Sequence, residues 1–196
     1  QNLPIDFIHC QGNTRINVKI KEKIETEING QGIVIEQQEL KTLYTKLQCL
    51  QEGDCLILSG SIPKGMSNTL YADIMQQLKG KNIEIVVDAT GELLCNTLKY
   101  GPFLIKPNIQ EMEELFNVTI KKNEDIAYYA KKLQEKGARN IIVSMGGDGA
   151  LMLTEKGELL TCTAPKGQVI DTVGAGDSMV AGFIAGYMQT KNYKKA

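Results

Sequence analysis

Four times in this chain a short apolar run stops at small or hydrogen-bonding residues and gives way to a stretch with helical spacing. The runs are 55–58, 83–87, 103–105 and 141–143, followed by Ser59-Gly-Ser61, Asp88-Ala-Thr-Gly91, Lys106-Pro-Asn108 and Ser144-Met-Gly-Gly147. Runs without polar alternation belong to strands buried on both faces, as in a parallel sheet covered by helices. Helical stretches at about 67–79, 91–99, 110–116 and 123–136 supply the crossovers. The pattern predicts an open α/β fold with a mainly parallel sheet. Ligands of such sheets bind beyond the carboxyl ends of the strands, so the four loops are expected to line one crevice.

The first part of the chain follows another rule. Residues 14–28 alternate, with Ile16, Val18 and Ile20 on one face and Arg15, Asn17, Lys19 and Lys21 on the other. That predicts a half-exposed antiparallel strand with a partner over 24–28, ended by a turn at 29–32. From 36 to 50 the spacing of Leu40, Leu43, Leu47 and Leu50 is helical. Residues 150–153 and 158–162 read as a hairpin around Gly157. Two parts are expected: partial β-strands and a connection over 1–35, and an α/β core over 36–196.

Composition removes several function classes. With 196 residues, 42% hydrophobic, the chain can bury a core, and its net charge of −1 includes no block of either sign. Neither a nucleic-acid surface nor a polybasic membrane patch is expected, and no apolar stretch approaches a bilayer span. The five cysteines (Cys10, Cys49, Cys55, Cys95, Cys162) form no Cys-x-x-Cys pair, which argues for thiols in a reducing cytoplasm. The one histidine, His9, is expected to be structural. The chain starts at Gln1 within what reads as a strand and ends just after a helix, as a piece of a longer protein would.

Chemistry is concentrated in Asp171-Thr-Val-Gly-Ala-Gly-Asp-Ser-Met-Val-Ala-Gly-Phe183. Gly174 and Gly176 permit a sharp turn that aims consecutive N–H groups one way, and a helix starting there adds its unpaired amides and positive dipole end. Asp177 falls in the first turn, as either a capping carboxylate or a general base. The helix after it has no polar face, so it is expected to be buried, with Gly182 and Gly186 allowing close packing. Standard nucleotide motifs fail: Met66 stands where a P-loop needs lysine, and Met179 where a dinucleotide fingerprint needs its third small residue. Lys106-Pro-Asn-x-x-Glu111 reads as a strand end, a capping Asn and a first-turn acid, or as a cation, an amide and a carboxylate gathered for phosphate and metal. Asp88 and Thr90 read as caps for the helix near Gly91.

The run Asp171 to Ser178 resembles the C-terminal signature of the ribokinase and phosphofructokinase-B superfamily of ATP-dependent sugar kinases. The resemblance implies a ribokinase-like three-layer α/β/α fold with part of a small β-lid. It makes Asp177 the catalytic base and the backbone of Gly174, Ala175 and Gly176 an anion hole. Asn108 and Glu111 would organise Mg²⁺, with Lys106 and Asn108 also touching nucleotide. Ser144-Met-Gly-Gly-Asp-Gly149 matches an ATP segment through Ser144, Gly146, Gly147 and Gly149, with Met145 a departure. Val169 and Asp171 match the K⁺ loop of some relatives. Arg15 would grip a phosphate on the sugar, with Ser61 as a substrate contact at the lid hinge. The run from Thr14 to Ile20, together with Glu25-Thr-Glu-Ile-Asn-Gly30, is most similar to the 1-phosphofructokinase branch, with the tagatose-6-phosphate kinase branch next. ATP and a phosphosugar are the implied small molecules, and a homodimer through the β-lid the implied assembly. The superfamily's N- and C-terminal portions are missing, so this chain could instead be a non-catalytic sugar-phosphate-binding fragment.

Overall fold

Residues 3–21, 25–30, 32–63 and 65–196 are described in the computed structural model. Strands β3 (Cys55–Ser59), β4 (Glu84–Asp88), β5 (Leu104–Ile105) and β6 (Asn140–Ser144) run parallel side by side. β7 (Ala150–Leu153) and β8 (Leu159–Cys162) extend that sheet antiparallel, giving the order β3-β4-β5-β6-β7-β8. Between them lie α2 (Leu70–Gln77), α3 (Gly91–Leu98), α4 (Ile109–Phe116) and α5 (Asn123–Glu135); α1 (Gln37–Leu47) precedes the sheet and α6 (Ala175–Thr190) follows it. The expected strands, crossover helices and hairpin are all present, with ends shifted by a few residues.

The sheet separates two apolar clusters, and the pleat decides which residues enter each. Ile85, Val87, Ile105, Ile141, Val143, Leu151 and Leu153 pack with helices α1 to α5 through Leu47, Ile74, Leu94, Met112 and Leu133. Their neighbours Val86, Leu104, Ile142 and Met152 pack on the other face against Val180, Phe183 and Ile184 of α6. Among the described residues three layers result, with α1 to α5 on one face of the sheet and α6 on the other. Each buried side chain of this size contributes about 1.5–3 kcal/mol relative to exposure.

α6 departs from expectation. Val180, Phe183 and Ile184 are buried, whereas Ala181, Gly182 and Ala185 are exposed and a Cβ on Gly182 would meet nothing within 4 Å. An apolar composition all round does not bury a helix unless chain lies on both sides of it, and here the described residues cover one side. Gly186 does face backbone, the Ala196 Cα lying 2.8 Å from where its Cβ would be.

The antiparallel pair is β1 (Asn17–Lys21) with β2 (Glu25–Asn29), Val18 opposite Ile28. The strand begins at Asn17 and not at residue 14, so Arg15 precedes it. Ile16, Val18, Ile20 and Ile28 are 74%, 46%, 44% and 57% exposed, an apolar face with no cover among the described residues. Ile24, expected to open the second strand, and Gln31, expected in the following turn, lie outside the described residues. His9 is exposed and not a packing residue of the core.

Candidate active site

Parallel pairing brings four strand ends to one level. Ser59 pairs with Asp88, Val87 with Ile105, and a bridge joins Asn108 to Ser144. The loop after β3 is fastened from below: the Tyr71 hydroxyl donates to the carbonyls of Ser59 (2.8 Å) and Gly60 (3.1 Å), and Gly60 N–H donates to the Asp88 carbonyl (3.1 Å). Burial pushes the Tyr71 hydroxyl pKa up, and the Asp88 charge adds to it. Tyr71 was not legible as a site residue, since helical spacing alone makes it a core aromatic.

At the centre is Lys106. Its side chain is 9% exposed, and its ammonium lies 3.4 Å from an Asp88 carboxylate oxygen. It also lies against the first turn of α6: a Cβ on Gly176 would be 2.9 Å from Nζ and 3.1 Å from Cε. Asp88, expected to cap α3, pairs with Lys106 instead. Thr90 is the residue at that N-cap and makes no side-chain capping bond. The signal for Asp88 was available in its place at a strand's carboxyl end.

The two helices that start here differ. α4 has a complete capping box: the Asn108 side chain accepts from Glu111 N–H at 2.7 Å, and Glu111 Oε2 accepts from Asn108 N–H at 2.9 Å. α6 starts from Gly174 in left-handed conformation (φ 77°) and has no side-chain cap. Ala175 N–H reaches the Thr172 carbonyl at 3.1 Å and Ser178 N–H that of Gly174 at 2.9 Å, while no described group takes the N–H of Gly176 or Asp177. Asp177 is exposed in that open turn.

Beyond β6, Gly146–Asp148 forms a single 3₁₀ turn closed by Met145 N–H on the Gly149 carbonyl at 2.8 Å. Gly146 and Gly147 are exposed, whereas Gly149 is buried with φ 94°, and a Cβ there would collide with the Cys162 carbonyl oxygen. Gly149 thus has a packing reason of its own. Arg15 Nη1 donates to Ser61 Oγ at 2.8 Å, joining the segment before β1 to the loop after β3. Val169 and Asp171 lie in the exposed approach to Gly174, where an Asp171 oxygen accepts from Val173 N–H at 3.0 Å. Among the described residues no cluster of three or more His, Cys, Asp or Glu is placed to hold a metal, and no helix is long and apolar enough to cross a membrane.

Residues 1–196 match the pfkB family carbohydrate kinase pattern. The chain belongs to the pfkB family of carbohydrate kinases. This pfkB chain is 45% identical over 186 residues to the 1-phosphofructokinase of Bacillus subtilis, covering 95% of itself and 61% of that protein. A D-tagatose-1-phosphate kinase of Bacillus licheniformis is 32% identical over 185 residues, covering 94% and 60%. Among solved structures, a Staphylococcus aureus protein assigned as a phosphofructokinase superposes with a TM-score of 0.81 at 39% identity, covering 96% of this chain and 61% of that one. The three-layer architecture is ribokinase-like, as expected. The chain spans about three fifths of the length of the curated relatives it matches.

Proposed function

We propose that the whole protein transfers the terminal phosphoryl group of ATP to the 6-hydroxyl of fructose 1-phosphate, giving ADP and fructose 1,6-bisphosphate. The observation that carries the reading is the meeting of a buried ammonium, Lys106, with the uncapped first turn of α6 at the strand ends. Two N–H groups and a cation converge where charge develops on a transferred phosphoryl group. Asp177, in the same turn, accepts the proton of the attacking hydroxyl. In a loose phosphoryl-transfer transition state positioning outweighs base strength, so a carboxylate is adequate. Ser144, Gly146 and Gly147 then border the nucleotide, and Asn108 reaches it from the neighbouring strand end.

Asn108 and Glu111 also fit a magnesium ion held mostly through water. Their capping box uses one Glu111 oxygen, and Mg²⁺ needs only one or two protein oxygens beside phosphate and water. Bound there, Mg²⁺ would offset charge on the ATP phosphates.

A phosphosugar is favoured by Arg15. Its guanidinium holds only the uncharged Ser61 hydroxyl among the described residues, leaving its charge for a phosphate. The tagatose relative is named for the 1-phosphate, not the 6-phosphate expected beside fructose 1-phosphate from sequence. Tagatose 1-phosphate therefore joins the alternatives. The exposed apolar face of Val18 and Ile28 suits a second copy of the same hairpin, and sedimentation of the whole protein measures that assembly.

Turnover of the whole protein with fructose 1-phosphate, tagatose 1-phosphate, tagatose 6-phosphate and fructose 6-phosphate decides the substrate. Asp177→Asn is expected to lower kcat by roughly 10³-fold with ATP binding retained. Undiminished turnover would remove Asp177 from the chemistry.

A further inference from the structure

Placing Lys106 where it stands opposes two physical tendencies. A buried ammonium is costly unless it is paired and hydrogen-bonded, and the positive end of a helix repels a cation. Lys106 is 9% exposed, lies against the first turn of α6, and none of its three donors is taken by a described hydrogen bond. The one carboxylate among the described residues within ion-pair distance is Asp88, 17% exposed and 3.4 Å from the ammonium. Asp88 is itself fixed by its place at the end of β4, where its carbonyl holds Gly60 and its pairing partner is Ser59.

We infer that Asp88 is a positioning residue that holds the Lys106 ammonium against the open turn of α6, so that the cation and the Gly176 and Asp177 amides face one phosphoryl group. The inference rests on the phosphoryl-transfer reading above. Without the Asp88 carboxylate the buried ammonium would be unpaired beside the positive end of a helix and would be drawn toward solvent. With Asp88 paired to it and the Gly176 turn beside it, the ammonium stays next to the open amides, and no described hydrogen bond takes its donors. Gly176 belongs to the same arrangement, because any side chain there would occupy the path of Lys106.

A double-mutant cycle in the whole protein tests this. Asp88→Asn and Lys106→Met, made singly, are each expected to lower kcat by about 10–100-fold, the cost of a group displaced by an ångström or lost. KM for the phosphosugar should stay within a factor of about two. Because Asp88 acts through Lys106, the double variant should be no slower than Lys106→Met alone. Multiplied losses would show Asp88 acting directly on metal or substrate, and an unchanged kcat in Asp88→Asn would show it doing nothing; either result overturns the inference. A lowered Tm with normal kcat would make its role purely structural and would also overturn it. If the wild-type protein phosphorylates none of the sugars, the functional reading fails first. The same cycle is then read in calorimetric ATP affinity, where non-additivity keeps the positioning role and additivity removes it.

Discussion

α4 and α6 begin at the same edge of the sheet, α4 just after Lys106 in the chain and α6 against its side chain, and their first turns are completed in opposite ways. α4 satisfies itself: Asn108 and Glu111 exchange hydrogen bonds and leave a rigid corner at the end of β5. α6 starts on a left-handed glycine with no side-chain cap, and the N–H groups of Gly176 and Asp177 go untaken. Every helix start has orphan donors that something must satisfy. At α4 side chains supply the partner, and at α6 the donors of Gly176 and Asp177 stay open beside Lys106. The contrast continues along α6, whose other end is tightly held. Tyr193 donates to Glu155 at 2.6 Å, Glu155 pairs with Arg139 at 2.7 Å, and Arg139 pairs with Glu84 at 2.6 Å. Beside this chain of contacts Tyr187 stacks on Tyr193 and meets the Phe103 ring at a tilt. The helix is clamped at the amino end of the strands and presents its open turn at the carboxyl end.

Of the changes that break this comparison, the largest effect comes from filling the open turn. Gly176→Ala places a methyl group 2.9 Å from the Lys106 ammonium, and the flexible lysine end, not backbone, must move. Turnover of the whole protein should drop by up to roughly 100-fold. Tm should hold or rise slightly, because alanine favours a helix. A fall in Tm with unchanged turnover would contradict the contrast between the two helix starts.

Removing the α4 cap should do the reverse in kind. Asn108→Ala is expected to cost about 1 kcal/mol of stability, or about 2–4 °C in Tm for a chain of this size. Thermal unfolding measures the loss, and an unaltered Tm would mean that the box contributes nothing. A parallel rise in the Mg²⁺ concentration needed for turnover would show that the same pair also serves the metal.

The smallest effect lies at the clamped end. Burial pushes the Glu155 pKa up, but hydrogen bonds from Arg139 and Tyr193 and the Arg139 charge outweigh it, leaving the pKa below the usual carboxylate range. A depressed folded-state pKa stabilises above the unfolded carboxylate value, and that contribution fades as pH falls through the folded one. Glu155→Gln should therefore lower Tm by about 2 °C at neutral pH, a modest figure because the group is well solvated. The gap to wild type should close in acid. A gap that persisted with the carboxylate protonated would point to packing instead of charge.

Much of the architecture was legible because burial on two faces leaves a local mark. Unbroken runs such as Ile85-Val-Val87 belong to strands buried on both faces, so the parallel sheet, its crossovers and the meeting of loops at its strand ends could be read in order. The capping box at Asn108 and the glycine turn at Gly174 were legible for the same reason, since caps and left-handed residues act within a few positions. What depended on distant chain was not. Asp88 read as a cap until β4 and β5 lay side by side and put it against Lys106, eighteen residues later in the chain. The exposure of Gly182 was hidden too, because a residue's cover is decided by whatever packs over it and not by its neighbours in the chain. Local physical chemistry writes elements and caps into a sequence; ion pairs across strands, and which side of a helix is covered, arise from packing between residues remote in sequence.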